Sequence, residues 1–261
     1  STIQNVHFIT LKNYGVMLGF LIFTENQIRM NKFLTTLFIA ASLIACKNDK
    51  KTTEDTSESE ITSQQDKNEE LTTAEKIAQK NGLDNWKDVS ELNFTFNVDR
   101  EDNHYERSWT WNPKSNEVNM VTPNGIVAFN RDSLNDRTRG ADASFINDKY
   151  WLLAPYNLVW DEGTTTSEEK NVTAPISKET LNKLTLTYGS EGGYTPGDAY
   201  DFYYGDDFMI KEWVYRKGND SVPSMATTWE DYKDFNGLQI ATMHQDSTKN
   251  FKLYFTDISV K

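Results

Sequence analysis

Residues 92–99 read Leu-Asn-Phe-Thr-Phe-Asn-Val-Asp, a stretch in which apolar and polar side chains alternate without a break. Successive side chains of a β-strand point to opposite faces, so Leu92, Phe94 and Phe96 share one face and the polar residues occupy the other. One face of such a strand covers a core and the other meets water, which is typical of antiparallel sheets. The stretch therefore predicts a mainly β fold.

Further strands are expected on both sides of turn-forming residues. Trp109 and Trp111 share a strand face with Tyr105 and Arg107, and Asn236-Gly237 favours a tight hairpin. The pattern predicts about ten strands, over residues 92–99, 105–111, 118–120, 126–129, 184–188, 200–204, 208–215, 225–235, 238–243 and 251–255.

Two helices accompany these strands. Thr72 and Glu75 have the spacing of a capping box, and Gly82 suits the end of a short helix. A second, more apolar helix is expected from near Asp142 to just before Pro155, because proline interrupts a helix interior. We predict a mainly β (α+β) fold, a strongly curved open antiparallel barrel with the two helices on its concave side.

A concave face that side chains leave unfilled would hold an apolar ligand. The residues expected to line this cavity are Phe94, Phe96, Trp109, Trp111, Phe145, Tyr150, Trp151, Leu153 and Trp213, with Arg107 and Glu212 as its polar members. The same residues also fit an ordinary sheet core. Arg107 is explained better by stacking on tryptophan or by pairing with an acid such as Glu212 than by contact with a ligand.

The N-terminal part of the chain has the features of a secretion and lipidation signal. Residues 43–46, Leu-Ile-Ala-Cys, match a bacterial lipobox, and Met30 opens a short cationic region followed by an apolar run too short to span a bilayer. Cys46 is the only cysteine among 261 residues, so no intramolecular disulfide can form. We expect an upstream leader at 1–29, a lipoprotein signal peptide at 30–45 and a lipid on Cys46.

Composition separates a tether from a folded domain. Residues 47–73 carry eight acids and four bases and no aromatic residue, so 46–73 is expected to be the lipidated cysteine and a disordered polar tether. Residues 74–261, the predicted β domain, hold all seven tryptophans, with 30 acids against 20 bases. This acidity argues against nucleic acid as a partner. The expected partner is the membrane, through the lipid anchor; the sequence leaves the oligomeric state open.

The order of these features resembles the outer-membrane lipoprotein carrier and receptor (LolA/LolB-like) superfamily. Residues 145–155, Phe-Ile-Asn-Asp-Lys-Tyr-Trp-Leu-Leu-Ala-Pro, together with the segments 194–197 and 210–213, are most similar to envelope lipoproteins of Bacteroidota. The resemblance covers residues 73–261 and implies an open barrel that encloses acyl chains. It implies a protein lipid-anchored to the outer membrane, facing the periplasm or the surface, that binds or transfers a lipid or a lipidated protein.

Catalytic signals are few. Residues 74–261 contain only His104 and His244, both expected at the surface, and no His-Glu-x-x-His or Gly-x-Ser-x-Gly motif. We therefore expect no enzyme, no catalytic or metal-binding residue and no cofactor. The alternatives are a surface glycan-binding module, suggested by the many Trp and Tyr residues, and a glycoside hydrolase using two of Asp198, Asp201 and Glu212.

Overall fold

The structure, a computed structural model, describes residues 70–261. The predicted leader at 1–29, the signal peptide at 30–45, Cys46 and the tether up to residue 69 lie outside the described residues, and their assignments stay predictions.

Twelve strands and two α-helices make up the described chain. The helices are α1 (Thr73–Lys80) and α2 (Arg139–Trp160), and short 3-10 turns lie at Leu83–Asp88, Arg131–Ser133 and Lys217–Asn219. The strands are β1 (Leu92–Arg100), β2 (Asn103–Asn112), β3 (Glu117–Thr122), β4 (Gly125–Asn130), β5 (Thr164–Thr173), β6 (Thr180–Tyr188), β7 (Ala199–Tyr204), β8 (Ile210–Arg216), β9 (Met225–Thr228), β10 (Glu230–Phe235), β11 (Leu238–Gln245) and β12 (Phe251–Val260). No helix among these residues is both long and apolar enough to cross a bilayer.

The strands form two open antiparallel sheets, which confirms the predicted fold class. One sheet has seven strands in the order β10-β11-β12-β1-β2-β3-β4, and the other has five in the order β5-β6-β7-β8-β9. Two differences raise the strand count from ten to twelve: β5 has no apolar alternation and was not predicted, and the run 225–235 is two strands. Trp229 lies between these two strands and carries the chain from the five-stranded sheet to the seven-stranded sheet.

Helix α1 begins and ends as its sequence predicts. The Thr72 hydroxyl accepts a hydrogen bond from the Glu75 N–H, and the Glu75 carboxylate accepts one from the Thr72 N–H, which is a complete capping box. Gly82 follows with a φ of 92°, the left-handed conformation that glycine adopts without strain. A Cβ atom at this position would lie 2.0 Å from the carbonyl oxygen of Gly237, so α1 sits tightly against the Asn236-Gly237 hairpin.

Helix α2 extends past the point at which it was expected to stop. Pro155 lies inside the helix, which continues to Trp160, and the prediction that it ends before Pro155 is wrong. Proline removes one backbone donor and crowds the preceding turn. The chain accommodates this at Leu153, whose φ of −122° and ψ of 19° kink the helix. Buried apolar residues on both sides of the kink hold the two helical segments in place.

Candidate ligand site

Helix α2 contacts both sheets through aromatic rings. Phe145, near its beginning, lies 5.4 Å from both Trp109 and Trp111 of β2, measured between ring centroids. Trp151, one and a half turns later, lies 4.4 Å from Trp213 of β8. The helix therefore brings together predicted lining residues from the seven-stranded and the five-stranded sheet in one interior.

The predicted lining residues are buried in this interior. Phe94, Phe96, Trp109, Trp111, Phe145, Trp151, Leu153 and Trp213 are buried, and Tyr150 is half-buried. Their rings contact one another and further aromatic residues: Phe255 lies 5.9 Å from both Phe94 and Phe96, and Tyr150 lies 4.9 Å from Tyr200. A ligand that entered this interior would have to separate these rings, so whether they line a binding cavity stays a prediction.

The polar member Arg107 binds an acid on α2. Its Nε and Nη2 atoms donate to the two carboxylate oxygens of Asp148 at 2.9 and 2.7 Å. The Trp109 indole N–H donates to Asp148 at 2.8 Å, and the Arg107 guanidinium lies 6.0 Å from the Trp109 ring. Burial raises the pKa of the Asp148 carboxyl, and Arg107 opposes this rise. The prediction that Glu212 could be the partner of Arg107 was wrong. The partner is Asp148, an acid within the most apolar helix that the sequence pattern did not single out.

Glu212 instead anchors a turn. Its carboxylate is buried and accepts hydrogen bonds from the backbone N–H groups of Ile176 and Ser177 at 2.7 and 2.8 Å. The other two acids considered for hydrolysis are engaged in the same way. Asp201 accepts from Arg216 and Thr185, and Asp198 accepts from the Tyr215 hydroxyl and the Gly218 N–H. All three carboxylates therefore already serve the five-stranded sheet and its turns.

The two histidines differ in their surroundings. His104 is exposed, and its hydrogen bonds to Asp99 and Glu106 raise its pKa. His244 is fully buried, which corrects the expectation that it lies at the surface, and burial lowers its pKa to about 3. The burial of His244 could have been predicted from the alternation along β11. His244 lies on the same strand face as the buried residues Leu238 and Ile240.

Several buried polar atoms near His244 have no protein partner. They are the indole nitrogens of Trp213 and Trp229, the Thr227 hydroxyl and the His244 Nε2. Ring centroids of Trp229 and His244 are 4.5 Å apart, and those of Trp213 and Trp229 are 6.0 Å apart. We call these four residues the indole–imidazole cluster. From the sequence, Trp213 was predicted as a lining residue and His244 as a surface residue. Thr227 and Trp229 were not singled out, because they fell in a run interpreted as a single strand.

Surface clefts lie away from this interior. A cleft of about 320 Å³ is lined by polar residues around Asp99 and His104, and one of about 550 Å³ lies beside Gly82 and Gly237. Neither contains a predicted lining residue. Within residues 70–261, no three His, Cys, Asp or Glu side chains are grouped to hold a metal ion.

Comparisons with known proteins found ten matching chains of solved structures, two of which follow. No protein-family model and no curated protein matches the chain. A crystal structure of a DUF1329 family protein from Desulfovibrio piger is similar with a TM-score of 0.43 and 10% identity, over 72% of this chain and 92% of that chain. An outer membrane lipoprotein-sorting protein domain from Vibrio parahaemolyticus is similar with a TM-score of 0.40 and 7% identity, over 71% and 91%. Both TM-scores lie below 0.5.

Proposed function

We propose that this protein is a lipid-anchored protein of the bacterial cell envelope that binds or transfers an apolar ligand, a lipid or a lipidated protein. The ligand would bind between α2 and the two sheets. The observation that carries this proposal is the aromatic interior, in which Phe145 and Trp151 of one helix reach opposite sheets. Aromatic rings offer a large apolar surface to an acyl chain.

The arrangement of α2 supports the proposal. The helix lies between two open sheets, and its kink at Leu153 divides it into two segments. Movement of the first segment would separate Phe145 from Trp109 and Trp111 without breaking a sheet. Such a movement would break the Arg107–Asp148 ion pair and the bonds that Arg131 and Tyr194 donate to Asp142.

The proposed location follows from the sequence. The lipobox at residues 43–46 and the polar segment after it predict an acylated Cys46 on a spacer, attached to the outer membrane. On this spacer the acidic domain would lie close to lipids or lipoproteins that could serve as ligands. The proposal requires no cofactor and no enzymatic step.

The interior site is favoured over a glycan platform by the burial of the tryptophans. Each of the seven is buried or half-buried. The two half-buried ones are Trp86, in the 3-10 turn at Leu83–Asp88, and Trp160, at the end of α2. Stacking on sugar rings needs exposed aromatic faces. The larger exposed aromatic residues of the described chain are Tyr105 and Tyr194, which lie on separate segments.

Native mass spectrometry tests the proposal. The Cys46→Ser chain would be secreted into a bacterial periplasm, purified without detergent and measured before and after incubation with phospholipid and fatty acid. We expect co-purified or added acyl lipid at a defined stoichiometry, and a loss of binding in Phe145→Asp, which places a charge among the rings. Ile126→Asp, at a position that is 72% exposed, is the control and should bind as the parent does. A mass that stays that of the bare protein in every incubation would refute the proposal.

A further inference from the structure

We propose that the indole–imidazole cluster binds the carboxyl group of an acyl ligand; this inference rests on the proposed function. The cluster lies at the point where three parts of the fold meet. Trp213 and Thr227 belong to the five-stranded sheet, His244 belongs to the seven-stranded sheet, and Trp151 of α2 contacts the rings of both Trp213 and His244. It therefore adjoins the aromatic interior proposed for the acyl chain.

The register of the strands places the side chains of Trp213 and Thr227 on one face of the five-stranded sheet. Trp213 of β8 lies directly opposite Thr227 of β9 in the antiparallel pair, so their side chains share a face. Trp229 comes two residues after Thr227, and its ring reaches both Trp213 and His244. Thr227 and His244 are fully buried, and Trp213 and Trp229 are nearly so.

The hydrogen-bonding roles of these atoms can be assigned. The His244 Nδ1 lies 3.2 Å from the Thr228 carbonyl oxygen, which can only accept, so Nδ1 carries the proton. In the neutral ring Nε2 is then an acceptor. The two indole N–H groups are donors only, and the Thr227 hydroxyl can do both. Buried polar groups without partners are uncommon in folded proteins, and several together call for a polar occupant.

A protonated carboxyl group fits this combination of donors and acceptor. Its carbonyl oxygen would accept from an indole N–H, and its O–H would donate to the His244 Nε2. Burial favours the protonated form of a carboxyl group, as the site requires. A methyl ester could accept from the indoles but has no proton for His244, so the site should distinguish an acid from its ester.

The test compares palmitic acid with methyl palmitate on the Cys46→Ser chain, by native mass spectrometry and competition titration. We expect the acid to bind about tenfold more tightly than the ester, the effect of one net hydrogen bond. His244→Phe should abolish this preference while ester binding stays near its parental value, because only the acid has a proton to donate to His244. Trp229→Phe removes a donor that both probes can use and should weaken the binding of both. Trp160→Phe is the matched control, because Trp160 is not among the predicted lining residues and its ring contacts Trp86 and Tyr156.

The outcomes separate this inference from the proposed function. Equal binding of acid and ester by the parent, or a preference that survives His244→Phe, would overturn the inference and leave the apolar site standing. Failure of both probes to bind would overturn the inference, and the phospholipid incubation would then decide the proposed function. Should a variant unfold, the nitrogen NMR resonances of the His244 ring in the parent decide instead. A change in the Nε2 chemical shift on adding palmitic acid supports the inference. An unchanged Nε2 chemical shift overturns it and indicates that the cluster binds only buried water.

Discussion

Arg107 of β2 and Asp148 of α2 form a two-hydrogen-bond ion pair whose acid is completely buried and whose guanidinium is 15% exposed. A charge left alone in such a place is costly, because neither water nor a partner solvates it. We therefore expect Arg107→Met to lower the free energy of unfolding by about 3–5 kcal/mol in urea titrations. Replacing both partners, as Arg107→Met with Asp148→Leu, should restore most of the loss.

The control for this prediction is an exposed ion pair. Arg139 lies 3.5 Å from Asp136, and both side chains are largely in solvent. Arg139→Met should cost less than about 1 kcal/mol, as is usual for surface pairs. Equal losses in Arg107→Met and Arg139→Met would show that burial of Asp148 does not govern the effect.

His244 should make the protein less stable in acid. Its pKa is lowered to about 3 in the folded chain, against about 6.5 for an unfolded histidine, so between these values only the unfolded chain binds the proton. Stability contributed by the neutral ring is present above pH 6.5 and is lost as the pH falls toward 3. At pH 5 the loss should be about 2 kcal/mol, measured as the change in unfolding free energy from pH 7.

Two variants check the origin of this acid loss. His244→Asn removes the titrating group and keeps an N–H donor for the Thr228 carbonyl, so its stability should fall less between pH 7 and pH 5. His104→Gln should not lessen the acid loss. The His104 pKa is raised by Asp99, so its contribution is present below pH 6.5 and disappears as the pH rises through the raised value. An unchanged acid loss in His244→Asn would contradict the assignment.

Gly82 is expected to be the least replaceable glycine of the described chain. Alanine there would combine a left-handed φ of 92° with a Cβ atom 2.0 Å from the Gly237 carbonyl oxygen. Gly218 has a φ of 60° but open space around its Cα, so Gly218→Ala should cost only the conformational strain, about 1–2 kcal/mol. Thermal melting should show a clearly larger loss for Gly82→Ala; similar losses would mean that α1 can move away from the hairpin.

Glu212→Gln tests whether this acid holds structure. The amide can present only one oxygen to the N–H groups of Ile176 and Ser177, and its own NH₂ would face a donor. We expect a loss of about 1–3 kcal/mol in unfolding free energy and faster amide hydrogen exchange at Ile176 and Ser177. Glu168→Gln, on the exposed strand β5, is the matched control and should change neither. An unaltered Glu212→Gln protein would reopen a chemical role for this carboxylate.

Local sequence patterns predicted the elements that have a regular apolar spacing, a helix cap or a turn motif. Alternation gave β1 and β2, the capping box gave α1, and Asn236-Gly237 gave the β10–β11 hairpin. Strand β5 was missed because it lies at a sheet edge with almost every residue exposed, so no apolar period marks it. Its pairing with β6 is set by tertiary structure, which a local pattern does not contain.

The candidate site was predictable in its apolar part and not in its polar part. Aromatic residues at alternating positions identified the interior, but the acid beside Arg107 came from α2, 41 positions away. The run 225–235 contains a change of sheet at Trp229, so its alternation did not reveal that Thr227 lies opposite Trp213. Such cross-element partners depend on how the chain packs, and sequence spacing alone does not specify them.

Strand β1 pairs with its sequence neighbour β2 on one side and with β12, the last strand, on the other, so that Phe96 faces both Arg107 and Phe255. A nascent chain can form the β1–β2 hairpin early, yet the centre of the seven-stranded sheet must wait for residues 251–260. Contacts of such large sequence separation slow folding. The sheet therefore stays without its central pairing until β12 has been synthesised, and β1 keeps one free edge until then. Deletion of residues 251–260 would make that open edge permanent, a state that invites aggregation.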